Sequence, residues 1–405
     1  MVVKRDSKQA AKGLMNASEE HTHSENKPSL QQTTFEPIQL PRDQEGFVTS
    51  FPLGAVHDPD FISFFERYGF VIVENVLSSE ERDATIGDIW AHIERSFGGQ
   101  SIKRDDPRTW VGVRWPGGGP GLLGQALTPA AWRNRANPNL RCVFERLIGK
   151  PNLLSSVDNY GVFRPTRQVP MRVLPPEHNG CRTTVACEPT GPDDELRDLP
   201  ELKTKSRWLH WDTSPFHTAD EDLPPYKFTG SYEFTSEYNG SRCDGNCKIQ
   251  GLVNLIEARE QDGGFLCVPG FHRHLREWAA LPCHAALREQ LKDTYDFVDV
   301  PAGDPMFEWV QRVPMRAGSL LVWNSDLPHC NYANDSERFR MVQYIKAFPA
   351  PCPLQRPETV KGMAVRRSAI LGEMVRRLGP EETWRDQFDE SQRCMLGLAD
   401  YPPDA

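Results

Sequence analysis

No stretch of this 405-residue chain approaches the run of about 18 apolar residues that a membrane-spanning helix needs, so no membrane partner is expected. Positive charge does not prevail either. The 47 Lys and Arg stand against 56 Asp and Glu, giving a formal net charge of −9, and the basic residues are scattered. Phosphate backbones are held by clustered Lys and Arg, which excludes a general nucleic-acid binder. The first residues are basic but run into polar sequence, unlike a secretory signal, and the chain does not end in the peroxisomal Ser-Lys-Leu. Ten cysteines without regular spacing point to reduced thiols in a cytoplasmic protein. Cys243 and Cys247 have no second ligand pair nearby and read as a surface loop, not a zinc site. Gly117-Gly-Gly-Pro-Gly121 lacks the Gly-Lys-Ser/Thr ending of a phosphate cradle. What is present, 38% hydrophobic and 25% charged residues, is ordinary for a globular protein with a substantial core.

Taken in order, residues 1–45 are polar and poor in aromatics, and read as a disordered tail. Phe61, Phe64, Phe65 and Tyr68 fall on one helical face stopped by Gly69, and Phe70–Val73 follows as a buried strand. Ser78 and Glu81 form a capping box ahead of a second amphipathic helix. The Gly-, Pro- and Trp-rich stretch 98–135 reads as an irregular loop whose Trp110, Trp115 and Trp132 could cover a site. Leu140 to Ile148 is a further helix. From Leu153 the pattern turns to short β-type runs, at 153–158, 160–164, 170–174, 206–212, 247–256, 264–268, 307–315, 319–324 and 338–347. The long linkers 175–205 and 215–246 and a helical piece from Trp278 to Lys292 interrupt them. The expected fold is therefore mostly β with flanking helices, a sandwich or barrel spanning 46–350. A helical extension at 351–405 follows, with Arg366, Arg367, Arg376 and Arg377 on its solvated side.

The chemistry centres on Arg207-Trp-Leu-His-Trp-Asp-Thr213. His210 and Asp212 are two residues apart on an extended segment, so their side chains leave the same face and can meet one ion. His329, at the end of an apolar run and turn, supplies a third ligand. Two His and one carboxylate on one face of Fe(II) leave the opposite positions open. The net positive charge of that set favours an anionic chelator, and a 2-oxo acid with O2 fits. The far carboxylate of 2-oxoglutarate needs a fixed cation, for which Arg340 is the candidate and Arg338, on the same strand face, the competitor. Arg164, Arg167 and Gln168, with Tyr160 and Phe163 among them, and His217 past the motif, are candidates for binding a small anionic substrate. His272 and His274 read as packing residues.

These motifs, with Gly263-Gly-Phe-Leu-Cys-Val-Pro-Gly-Phe-His-Arg273, Ala317-Gly-Ser-Leu-Leu-Val-Trp323, Asn334 and the opening Tyr68-Gly-Phe-Val-Ile-Val-Glu-Asn-Val-Leu-Ser78, resemble the phytanoyl-CoA dioxygenase family. The resemblance covers about 58–97 and 206–347. It implies a double-stranded β-helix, the cupin-like jelly roll, with iron at its open end. It implies His210, Asp212 and His329 as iron ligands, and Arg340, with Asn334 and Arg338, near 2-oxoglutarate. Fe(II), 2-oxoglutarate and O2, with ascorbate as reductant, are the implied cofactors. Halogenating relatives have a small residue where Asp212 stands, so the resemblance is to hydroxylases acting on a small molecule. Departures are the 215–246 insertion and Phe271, where the family often has Ser. The alternatives are a catalytically silent β-helix scaffold and a cupin-like metalloenzyme without 2-oxoglutarate.

Overall fold

Short apolar runs punctuated by Gly, Pro and Asp build two antiparallel sheets in the computed structural model. It describes residues 35–96, 102–111, 115–116, 119, 121–172, 194–216, 249–292, 294, 296–350 and 357–402. The larger sheet has six strands in the order β1 (Phe70–Val73), β12 (Leu320–Asn324), β8 (Ile249–Asn254), β14 (Arg340–Tyr344), β4 (Asn159–Phe163) and β2 (Leu122–Gln125). The smaller has five: β10 (Asp296–Asp299), β7 (His210–Thr213), β13 (His329–Tyr332), β9 (Gly264–Cys267) and β11 (Gln311–Arg312). Two further pairs join β15 (Ala347–Pro349) to β3 (Leu153–Ser155) and β5 (Val169–Arg172) to β6 (Asp194–Arg197). Neighbours such as β1 and β12 or β7 and β13 are distant in sequence, as a double-stranded β-helix requires. Hydrogen bonds cross between the sheets from Asn331 to the Tyr344 hydroxyl and from Gln250 to Asp212.

Among the described residues nine helices flank this core: α1 (Pro59–Tyr68), α2 (Ser79–Ser96), α3 (Pro129–Arg135), α4 (Pro138–Ile148), α5 (Leu275–Ala280), α6 (Ala285–Gln290), α7 (Met306–Trp309), α8 (Pro357–Leu378) and α9 (Glu390–Leu396). In α1 the expected face, Phe61, Phe64, Phe65 and Tyr68, is buried, and Gly69 caps the helix at φ 79° with its N–H on the Phe65 carbonyl. The capping box is formed: the Ser78 N–H donates to Glu81 Oε2 at 2.8 Å and the Glu81 N–H to Ser78 Oγ at 3.2 Å. Against the larger sheet, Phe144 of α4 comes so close to Gly251 that a Cβ there would lie 2.9 Å from its ring. On the other side, Trp278 of α5 packs on Trp211 with ring centroids 4.8 Å apart.

The fold departs from the sequence reading in five places. The tail expected to be disordered to residue 45 is packed from Phe35, which is buried against Phe271 and Trp309, and Arg42 bridges to Val48. These ring contacts, with a third to His274, outweigh the polar composition around it. The stretch 98–135 is not simply a loop, because it contributes β2 and α3. Its Trp110 and Trp115 pack on Trp90 and Phe339, and Trp132 is buried, so none forms a lid. The expected strand 307–315 is a helical turn, α7, followed by two residues of strand. The linker 175–205 ends in strand β6, whose partner β5 supplies its backbone hydrogen bonds. Arg366, assigned to a solvated face, is buried and donates to the carbonyls of Leu396 and Ser155, satisfying a helix end that has no other donor in its own helix. The pair Cys243 and Cys247 and the insertion 215–246, apart from 215 and 216, lie outside the described residues. Five described cysteines are free thiols. Among the described residues no helix is long and apolar enough to cross a membrane.

Candidate active site

The triad is a product of strand register. His210 and Asp212 share a face of β7, and β13 runs antiparallel beside it with His329 directly opposite His210. His329 thus opens a strand instead of ending a turn. Ligand atoms of the three residues lie within 4.8 Å of one another. His210 Nε2 is 3.5 Å from Asp212 Oδ1, and His329 Nε2 is 3.8 Å from Asp212 Oδ2.

The surrounding residues settle how these groups are presented. Each imidazole donates its Nδ1–H to a backbone carbonyl, His210 to Trp208 at 3.0 Å and His329 to Leu327 at 2.9 Å. Both Nε2 lone pairs therefore face the carboxylate, the tautomer that a metal needs. Burial, with His210 beside it, pushes His329 down to about 3, so its imidazole is neutral at any ordinary pH. Burial alone would push the Asp212 carboxyl up, but His210, Lys346 and His329 outweigh it and hold the group well below the usual carboxylate range. Gln250 of β8 donates to Asp212 Oδ2 at 2.8 Å and fixes its rotation. His210 is stacked between Trp208 and Phe297, at centroid distances of 4.6 and 4.5 Å. Two imidazoles presenting Nε2 and one oriented carboxylate suit a divalent first-row metal such as Fe(II).

The two arginine candidates part company here. Arg340 is 1% exposed, its guanidinium lies 4.8 Å from the centre of the Phe163 ring, and none of its three nitrogens has a hydrogen-bond partner among the described residues. Strand alternation places it on the same face of β14 as Tyr344, which lines the triad's cavity. Arg338 instead pairs with the buried Asp262 and with Glu257, on a side chain 44% exposed. Asn334 spends its amide within the turn, donating to the carbonyls of Arg164 and Arg338 and accepting from Ser336. Arg338 and Asn334 are thus engaged within the protein, whereas Arg340 is not.

The substrate candidates also scatter. Arg167 pairs with Asp198 and Asp335, and Gln168 binds Asp198, in a surface network. Arg164 donates to the Trp110 carbonyl and lies over Trp115, and burial pushes its guanidinium down to about 10. None of the three lines the cavity at the triad, and His217 lies outside the described residues. His272 and His274 are packing residues, bonded to the Glu66 carbonyl and to Glu277.

A cavity of about 230 Å³ opens onto the triad, walled by Leu122, Trp208, Phe265, Phe297 and Trp323 and by Asp158, Asn159, Asn331, Tyr344 and Lys346. Sequence reasoning missed most of these. The available signal was polar residues set among apolar ones: Gln250 in Ile-Gln-Gly-Leu-Val-Asn, and Lys346 between Ile345 and Ala347.

The chain resembles known proteins in sequence and in fold. The family model "Phytanoyl-CoA dioxygenase (PhyH)" matches residues 239–342, a stretch holding His329 and Arg340 but beginning after His210 and Asp212. A Dictyostelium discoideum protein named "Putative phytanoyl-CoA dioxygenase" is 28% identical over 298 residues, 71% of this chain and 74% of that one. A hypothetical protein of Escherichia coli, JW0805, solved at high pH, superposes with a TM-score of 0.50 at 12% identity, over 86% of this chain and 85% of that one, a likeness of fold. The chain is thus similar in sequence to the phytanoyl-CoA dioxygenase family, over residues 239–342 to the family model and over most of its length to a protein named for that family.

Proposed function

We propose that the protein is a non-haem Fe(II)/2-oxoglutarate-dependent dioxygenase that hydroxylates an unactivated C–H bond of a small or medium organic molecule. In the overall reaction R–H, 2-oxoglutarate and O2 give R–OH, succinate and CO2, with one oxygen atom entering each organic product. The observation that carries the reading is Arg340. An enclosed cation without a hydrogen-bond partner is costly in a protein interior, and it fits a site that takes a carboxylate. Ferrous ion with Asp212 carries one positive charge and Arg340 a second, matching the two carboxylates of 2-oxoglutarate.

His210, Asp212 and His329 would hold the iron, which when bound supplies the chemistry that couples O2 to co-substrate decarboxylation. The chain's own residues do the rest. The carbonyls of Trp208 and Leu327 fix the two imidazoles, and Gln250 fixes the carboxylate. Trp208, Phe297, Phe265 and Trp323 give the cavity an apolar wall. The test is anaerobic absorbance of the Fe(II) protein during titration with 2-oxoglutarate. A weak visible charge-transfer band that is lost in His210→Ala is the expected result. An iron-loaded protein with no band, and no succinate from 2-oxoglutarate under air, would overturn the proposal.

A further inference from the structure

We infer that Asp158 and Lys346 form a charge-paired handle for a zwitterionic substrate, an α-amino acid or a molecule with the same adjacent ammonium and carboxylate. The inference rests on the oxygenase reading above and assigns its substrate class. Both residues line the cavity that holds His210, Asp212 and His329. Lys346 Nζ stands 3.7 Å from Asp158 Oδ2, longer than a hydrogen bond, with side chains 20% and 24% exposed. The pair is thus partly desolvated within the cavity lining. Asp158 Oδ1 accepts from the Asn159 N–H, which leaves Oδ2 as the oxygen turned to the lysine.

The backbone that carries the pair is held from behind. Lys346 and Ser156 are cross-bonded, the Ser156 N–H to the Lys346 carbonyl and the Lys346 N–H to Ser156 Oγ, each at 2.8 Å. Arg135 of α3, fully buried, donates to the carbonyls of Ser156 at 2.8 Å and Asp158 at 3.3 Å. Arg366 of α8 donates to the Ser155 carbonyl at 2.7 Å. Two buried guanidinium groups spent on one short backbone segment preorganise what that segment presents.

Charge then selects the ligand. A lone anion drawn to Lys346 meets the Asp158 carboxylate beside it, and a lone cation drawn to Asp158 meets the lysine. A zwitterion laid head to tail against the pair gives each group its counter-charge and leaves no charge unmatched. Leu122, Trp208 and Phe297 offer an apolar wall for the remainder of the molecule. A volume of about 230 Å³ is below the roughly 300 Å³ at which drug-sized sites begin, so the enclosed part of the substrate is small. A carbon of that molecule would exchange C–H for C–OH with one atom of O2, while the other atom leaves in succinate and the C1 carboxylate of 2-oxoglutarate leaves as CO2.

The experiment measures succinate formed by the Fe(II) protein with 2-oxoglutarate and O2, across the common α-amino acids, their N-acetyl acids and their carboxamides. The expected result is stimulation by a free amino acid about tenfold or more above either singly charged derivative, the loss typical of one charge-assisted contact. Asp158→Asn should move the preference toward the N-acetyl acid, and Lys346→Gln toward the carboxamide. Equal stimulation by singly charged derivatives overturns the inference. So does silence of every amino acid on a protein that still shows the 2-oxoglutarate charge-transfer band. A Lys346→Gln protein whose 2-oxoglutarate requirement rises instead would make the lysine part of the co-substrate site, which also overturns it. Absence of the band removes the oxygenase reading and this inference together.

Discussion

At Arg340, stability and binding pull in opposite directions. Its guanidinium is enclosed without a hydrogen-bond partner among the described residues, a state that costs about 1–3 kcal/mol in the absence of ligand. Arg340→Met removes the charge and keeps much of the volume. Thermal denaturation of the metal-free variant should therefore occur at or above the wild-type temperature. The half-saturating 2-oxoglutarate concentration, read from the charge-transfer titration, should rise roughly 10- to 150-fold, the equivalent of 1.5–3 kcal/mol. An unchanged midpoint would remove Arg340 from the co-substrate site. Gln250→Leu acts on the iron instead: it frees Asp212 Oδ2, and Fe(II) affinity measured by competition with a chelator should fall about 10- to 100-fold. The sequence made His210 and Asp212 legible because a two-residue spacing on a strand has one geometric meaning. It could not separate Arg338 from Arg340, which have the same parity. What separates them is that β14 begins only at Arg340, leaving Arg338 in the turn beside Asp262. Asp158 and Lys346 were invisible because they lie 188 positions apart in number and meet only through the pairing of Ser156 with Lys346.

Elements announced by capping chemistry and periodicity were legible, and elements defined only by a partner were not. α1 has four aromatic residues on one face and a glycine stop, and α2 has its capping box. β2, β6 and β10 are four-residue strands whose sequences do not alternate cleanly, and only their neighbours in the sheets make them strands. The joint between α1 and β1 shows how tightly such elements are fitted. Gly69 there faces His272, and a Cβ would lie 2.5 Å from its Nδ1. His272 Nε2 donates to the Glu66 carbonyl, while Nδ1 is buried with no partner among the described residues and has no place for a proton. Burial, with Arg273 and His274 adding to it, pushes His272 down to about 4 from an ordinary value of 6.5. Between those limits the unfolded chain binds a proton that the folded one does not. Stability is therefore complete above about pH 6.5 and falls as pH drops toward 4, by on the order of 3 kcal/mol from this residue. Urea midpoints at pH 7 and pH 5 should differ less in His272→Gln than in wild type. An identical difference would mean that the imidazole titrates freely in the folded state.

For the molecule as a whole, the triad is also a fastening. His210 and Asp212 are separated from His329 by 116 residues of chain, which include β8, β9, β10, β11 and β12, yet β7 and β13 meet through a single registered pair, His329 with His210. The contact is short because β7 gives its other edge to β10, and β13 gives most of its hydrogen bonds to β9. A metal bound by all three side chains would join the two halves of the smaller sheet where backbone pairing is thinnest. Because the ligands converge only in the folded state, metal should stabilise by mass action, about 2.7 kcal/mol at a free concentration one hundred times the dissociation constant. Fe(II) added anaerobically should raise the melting temperature by several degrees, and 2-oxoglutarate should raise it further only when Fe(II) and Arg340 are both present. Asp212→Ala should melt at one temperature whether or not Fe(II) is added. A shift of wild-type size in that variant would place the metal elsewhere in the molecule and separate the iron from the strand junction.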